Sequence, residues 1–270
     1  MDPDIQDAVR RALAEDIGSG DITTNLCVPE QATATGRMIA REALTLAGVE
    51  LLPLIFENCS VDLSRHSGDR LESGGEIAVV RGPARVLLTG ERTALNFIQR
   101  LSGIATLAAA YVRAVDGTRC RMLDTRKTTP GLRRLEKMAA ASGGVVNHRL
   151  GLFDAVLIKN NHITAAGGVR AALERTRNAG VPVEIEVRTR AELDQALACG
   201  ATHLLLDNLS PAEAKDWILH INRRATVELS GGITLENART YAESGADFLS
   251  SGAITHSARA VDINFRLELD

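Results

Sequence analysis

The stretch Val181–Asn208, VPVEIEVRTRAELDQALACGATHLLLDN, decides the fold. It opens and closes on short apolar runs, and between them lies a polar segment of helical pattern. Thr189 stands three residues ahead of Glu192, the spacing of a capping box at a helix N-terminus. Run, helix and run of this length make one parallel strand–helix–strand unit. The texture continues outward in RMLDT (121–125), DAVLIK (154–159), TVELSGG (226–232) and DFLSSG (247–252), with Ser210 and Glu213 as a second capping box. The runs end in polar or glycine tips: Arg126/Lys127, Lys159, Glu186, Asp207, Ser230-Gly231-Gly232 and Ser251-Gly252. An open sheet would spread these tips along an edge, whereas a barrel brings them to one mouth, and we expect the barrel. Six strands are evident and a seventh candidate lies at Val145–Asn147, so the expected architecture is an incomplete, six- or seven-stranded α/β barrel.

Upstream the pattern changes. Asp2-Pro3 followed by Ile5, Val9 and Leu13 predicts a short capped helix that stops at EDIGSGDITT, read as a turn. Ala32–Leu46 alternates like a strand, Val49–Cys59 has helical spacing, and Asp62–Leu88 is cut into hairpin-like pieces by SGD, SGG and RGP. Glu91–Val115 carries a helical apolar stripe with Gly103 as an expected bend, and Arg92 at its start is a solvated charge or an anion contact reaching another subunit. Val261, Ile263, Phe265, Leu267 and Leu269 alternate as a half-buried strand. The expectation is an α/β protein with an N-terminal α+β sandwich-like domain over 1–115, joined by the C-terminal strand 257–270, and an open α/β barrel over 116–256.

Bulk composition excludes several classes. The 270 residues are 45% hydrophobic and 24% charged with a net charge of −3, an ordinary globular balance. Only 3% are aromatic, which argues against base stacking and a nucleic-acid partner. No apolar run approaches the roughly 18 residues of a membrane span, and Asp2, Asp4 and Asp7 occupy the place of a signal peptide's basic region. Cys27, Cys59, Cys120 and Cys199 show no metal-ligand spacing, so buried reduced thiols and a cytoplasmic location are expected.

Charge is nonetheless local. Arg119–Arg149 holds eight Lys/Arg against two acids, pointing to an anionic small ligand. The glycine tips at 230–232 and 250–253 follow the last two runs, the usual phosphate position of such barrels. Glu186 and Asp207 end successive strands and suit Mg²⁺ or sugar hydroxyls. Arg126, Lys127, Arg149 and Lys159 with His148 would face them across the mouth. Lys159 ends an apolar run; it either holds a carboxylate or phosphate as a cation, or forms a Schiff base as in a lyase. A non-catalytic phosphate-sugar binder on the same scaffold is a third reading. No Walker or GxGxxG motif is present.

The motifs EDIGSGDIT, ERTALNFIQRLSGIAT, DTRKTTPGLR, NHRLGLFDAVLIKNNH, LLLDN, SGGI and GAITHS stand in the order found in the quinolinate phosphoribosyltransferases, and the chain resembles that family almost end to end. The resemblance implies transfer of phosphoribosyl from phosphoribosyl pyrophosphate to quinolinate with loss of CO₂, in a homodimer or larger assembly. It implies that Arg92 comes from a neighbouring subunit, that Arg126, His148, Arg149 and Lys159 bind quinolinate, and that Lys127 contacts pyrophosphate. Glu186 and Asp207 would hold ribose hydroxyls and Mg²⁺, and Ser230, Gly231, Gly232, Ser251 and Gly252 the 5′-phosphate. A related enzyme acting on another pyridine carboxylate is the near alternative. The chain departs from the family pattern at Asn160, where Asp is usual, and at Ala141 and Val145.

Overall fold

In the computed structural model, which describes residues 2–270, contacts divide the chain into two units: Met1–Ala109 with Thr128–Gly144 and Ile254–Asp270, and Ala110–Lys127 with Val145–Ala253. The division falls elsewhere than the 1–115/116–256 partition read from the sequence. The helix Arg133–Ser142 lies within the expected barrel span but packs in the first unit. Its buried Glu136 accepts from Arg100 Nη2 at 3.0 Å and Thr129 Oγ1 at 2.7 Å, and Gly143 sits against the backbone of Ala105.

The first unit is built on an antiparallel sheet in the order Ile263–Leu269, Thr33–Ala40, Glu76–Pro83, Ser60–Leu63. The C-terminal strand pairs from Ile263 opposite Ala40 to Leu269 opposite Ala34, as its alternation predicts. Phe265 lies over Gly36 and stacks on Phe56 with ring centroids 5.7 Å apart, so the strand's odd face closes this core.

Three expectations here are corrected. The long helix starts at Ala84 and runs unbroken to Val115, because the buried stripe Ala84, Leu87, Ala94, Leu95, Ile98, Leu101 extends behind Glu91. Arg92 is therefore in the third turn rather than at the start, and it is exposed. Gly103 makes no break; a Cβ there would lie 1.9 Å from the Arg259 carbonyl oxygen, so the glycine permits a close backbone approach. EDIGSGDITT is only partly a turn, since Asp21 caps a short helix, Ile22–Cys27, by accepting from Thr24 N at 2.9 Å.

The second unit holds a six-stranded parallel sheet in the order Arg121–Leu123, Phe248–Ser250, Thr226–Ser230, His203–Asp207, Val183–Val187, Val156–Ile158. The Val145–Asn147 candidate contributes one parallel bridge, Val146 to Leu123, at the sheet's first edge. The barrel is thus incomplete. Both predicted capping boxes form, at Thr189/Glu192 and Ser210/Glu213. Along the strands the two-residue period puts Ile185, Val187, Leu204, Leu206, Val227, Leu229 and Leu249 on one face, all essentially buried. The opposite face carries Glu184, Glu186, Leu205, Asp207, Glu228, Ser230 and Ser250. That face is the site.

All four cysteines are free, but only Cys120 is buried, where burial pushes its thiol up to about 12; Cys27 is exposed. Among the described residues no helix is long and apolar enough to cross a membrane.

Candidate active site

A cleft of about 430 Å³ opens at the C-terminal ends of the parallel strands, all of it within the second unit. Arg126, Lys127, His148, Arg149, Lys159, Glu186, Asp207, Ser230, Gly231 and Gly232 line it. Strand topology thus gathers ten of the sequence-derived candidates from six separate segments.

The basic wall is fixed from beneath. Asp124, fully buried at the end of its strand, accepts from His148 N at 2.8 Å and Asn147 Nδ2 at 2.7 Å, tying the 147–149 turn to the segment that carries Arg126. The Arg126 Nε is buried and has no hydrogen-bond acceptor. Arg149 donates to the Ala155 carbonyl at 3.1 Å; burial and the nearby Arg126 charge lower its pKa. Two guanidiniums close enough for one to lower the other's pKa form a place for a multiply charged anion. Lys159, expected to end an apolar run, is exposed at the N-terminus of the helix Asn160–Ala166, because its strand ends one residue earlier, at Ile158.

Opposite, Glu186 is only 5% exposed and Asp207 half-buried, on neighbouring strands. Arg188 reaches between them, with Nη2 2.8 Å from Glu186 Oε1 and 3.5 Å from Asp207 Oδ2. The close approach to Glu186 is off the hydrogen-bonding direction, so Oε1 remains a buried acceptor without a hydrogen bond. Two carboxylates, one with an unsatisfied oxygen, beside a phosphate-sized opening fit a hard divalent cation that keeps waters and substrate oxygens as its other ligands.

Between the walls lies the Ser230-Gly231-Gly232 turn, with positive φ at both glycines. A Cβ on Gly231 would be 2.1 Å from Asn208 Oδ1 and 2.9 Å from Asn208 N, and Asn208 N itself donates to Ser230 O at 2.9 Å. The glycine lets two strand ends lock together at the edge of the opening. Gly231→Ala is accordingly expected to raise KM for a phosphorylated substrate about 100-fold, read by steady-state kinetics alongside a melting curve.

At the cleft floor, His148 Nε2 lies 3.3 Å from Glu184 Oε2 and 3.4 Å from Glu228 Oε2. Burial opposes charge on the ring, but the two carboxylates outweigh it and raise the His148 pKa to about 9. His148 Nδ1 accepts the Arg149 N–H at 2.7 Å, which puts the proton of the neutral ring on Nε2, facing the two carboxylates. Burial raises the Glu228 carboxyl as well. Folded-state pKa values above the unfolded ones stabilise at low pH and lose that contribution as pH rises. Melting temperature is therefore expected to fall between pH 6.5 and pH 9, with a smaller fall in Glu228→Gln.

Three sequence candidates lie off the cleft. Ser251 is buried and its hydroxyl donates to Ile233 O at 2.8 Å; by strand alternation Ser250, not Ser251, faces the opening. Gly252 and Arg92 do not line it. Conversely, the sequence reading passed over Glu184, Glu228, Arg188, Asn208 and Asp124. The acids of VEIEV and TVELS lie inside the runs, where they read as ordinary strand alternation until the sheet assigns their face.

A two-part protein with an open α/β barrel, a basic wall, a carboxylate pair and a glycine turn at the barrel mouth is of the phosphoribosyl-handling class. Comparison carries this to a family: residues 21–102 match the quinolinate phosphoribosyl transferase N-terminal domain and residues 104–266 its C-terminal domain. The chain is 45% identical over 274 residues to nicotinate-nucleotide pyrophosphorylase [carboxylating] of Mycobacterium leprae, covering 97% of this chain and 96% of the relative. It is 40% identical to the probable nicotinate-nucleotide pyrophosphorylase [carboxylating] of Bacillus subtilis, covering 94% and 90%. The crystal structure of NadC from Streptococcus pyogenes superposes with a TM-score of 0.94 at 38% identity, covering 100% and 99%. The chain belongs to the quinolinate phosphoribosyl transferase family and is an enzyme of NAD biosynthesis.

Proposed function

We propose that this enzyme joins quinolinate to the phosphoribosyl group of phosphoribosyl pyrophosphate, releasing pyrophosphate and CO₂ and forming nicotinate mononucleotide. The observation that carries the reading is the pairing of Arg126, whose buried Nε has no acceptor, and Arg149 with the opposed Glu186/Asp207 pair in one cleft. Arg126, Arg149 and Lys159 hold the two ring carboxylates, and His148 lies against the ring. Neutralising a dianion is what allows it to sit beside a polyphosphate. Lys127 meets the pyrophosphate, and the Ser230–Gly232 turn receives the 5′-phosphate. The ring nitrogen then attacks C1 of the ribose as pyrophosphate leaves. Glu186 and Asp207 favour the positive charge that develops on the sugar and bind its hydroxyls. The same two carboxylates would hold Mg²⁺, which would supply charge neutralisation for the leaving pyrophosphate. The pyridinium so formed accepts the electron pair left at ring carbon 2 when its carboxylate departs, so no base is needed for that step.

Ser251 and Gly252 act behind the phosphate turn. Arg92 serves the cleft of a neighbouring copy in a homodimer or higher assembly. The enzyme works with its small-molecule substrates in the cytoplasm, a reading supported by its four free thiols. Nicotinate mononucleotide formation with quinolinate, its absence with nicotinate, and its loss on chelating Mg²⁺ test the reaction; equal turnover of nicotinate would overturn the substrate assignment. Mixing Arg92→Ala with Arg126→Ala protein tests the shared site. Random pairing restores both arginines in roughly a quarter of the sites, so activity is expected to rise to about that fraction of wild type.

A further inference from the structure

We propose that Glu228, on the cleft floor against His148, is the acid that returns a proton to ring carbon 2 after CO₂ has left. The inference rests on the decarboxylating transfer described above, which needs one proton delivered to carbon and leaves its donor unnamed. Glu228 is 3% exposed yet lines the cleft, and it sits two residues before Ser230 on the same strand, so both side chains share the inner face. An acid at a position where a barrel interior ordinarily takes an apolar side chain is retained against a desolvation penalty. Burial and the neighbouring Glu184 charge favour its protonated form, against the pull of the His148 contact. His148 Nε2 stands 3.4 Å away and Glu184 lies within the same cluster, where one oxygen or nitrogen of each of the three residues falls within 4.8 Å of the others. Ser250, on the neighbouring strand, hydrogen-bonds Glu228 and favours its carboxylate, so it holds the conjugate base once the proton has gone.

The other charged groups lining the cleft are the cations of the basic wall and the Glu186–Arg188–Asp207 group. The proposed roles engage the wall's cations with substrate anions, and none of them has a proton to give as readily as a buried carboxylic acid. In the step, the electron pair at carbon 2 takes the Glu228 O–H proton and forms the C–H bond. The O–H electrons stay on the carboxylate, which the His148 Nε2–H then stabilises, and water restores the proton as product leaves.

Single-turnover measurements on Glu228→Gln separate the steps. Pyrophosphate release is expected within about threefold of wild type, while nicotinate mononucleotide formation falls about 100-fold or more and the ring nucleotide still bearing both carboxylates accumulates. Ser250→Ala, which leaves the carboxyl in place, is expected to show the same split at about tenfold and serves if Glu228→Gln does not fold. Parallel loss of both products, or unchanged nicotinate mononucleotide formation, overturns the proposal. A wild-type enzyme that releases neither product would instead sink the parent reading.

Discussion

Arg126→Ala is expected to lower kcat/KM for quinolinate by about 10³-fold, on the order of 4 kcal/mol of transition-state stabilisation, while leaving the melting temperature at or above that of wild type. The two halves of this expectation have one cause. The Arg126 Nε is buried with no acceptor, and its charge depresses the pKa of Arg149. A buried donor left unsatisfied and a like charge nearby both oppose folding, so truncation removes an unfavourable arrangement from the free enzyme. Such a site is stabilised by its dianionic ligand instead. Steady-state kinetics with varied quinolinate, set against thermal melts with and without it, measure both. A variant that lost stability in proportion to activity would show Arg126 to be structural.

Gly103→Ala is expected to destabilise the protein by at least ~3 kcal/mol, seen as a lowered denaturant midpoint. The added methyl would meet the Arg259 carbonyl oxygen at 1.9 Å, and a backbone atom cannot swing aside as a side-chain tip can. The neighbourhood is already committed: Arg100 donates to the Ala258 and Thr255 carbonyls at 2.5 and 2.7 Å, and Gln99 Nε2 donates to Ile263 O at 2.7 Å. Any retreat of the 258–263 segment would break these contacts and disturb the pairing of the C-terminal strand, which begins at Ile263. If stability is retained, the helix and this segment are not held together as described.

Each part of the site was legible in a different degree. The tips after the runs were visible because a parallel strand that ends in Lys, Asp or Gly-Gly breaks an otherwise apolar pattern. The floor was not, since Glu184 and Glu228 lie inside the runs and look like ordinary alternation until the face they occupy is known. Ser250 and Ser251 are indistinguishable as letters; one residue of register separates a cleft hydroxyl from a buried one bonded to Ile233. Arg188 follows its strand as an exposed charge, and only proximity to Glu186 and Asp207 gives it meaning.

By itself the sequence determined what depends on local periodicity and short-range chemistry. The strand–helix repeats, the capping boxes, the alternating C-terminal strand and the identity of the charged tips all follow from spacings of two, three or four residues. Tertiary structure decided what depends on residues far apart in the chain. It placed Arg133–Ser142 in the first unit through Glu136 and Arg100, turned Gly103 from a bend into a contact, and built one proton-holding cluster from His148, Glu184 and Glu228. The physical reason is that burial, register and charge coupling are properties of neighbours in space, and parallel strands bring together neighbours that lie tens of residues apart.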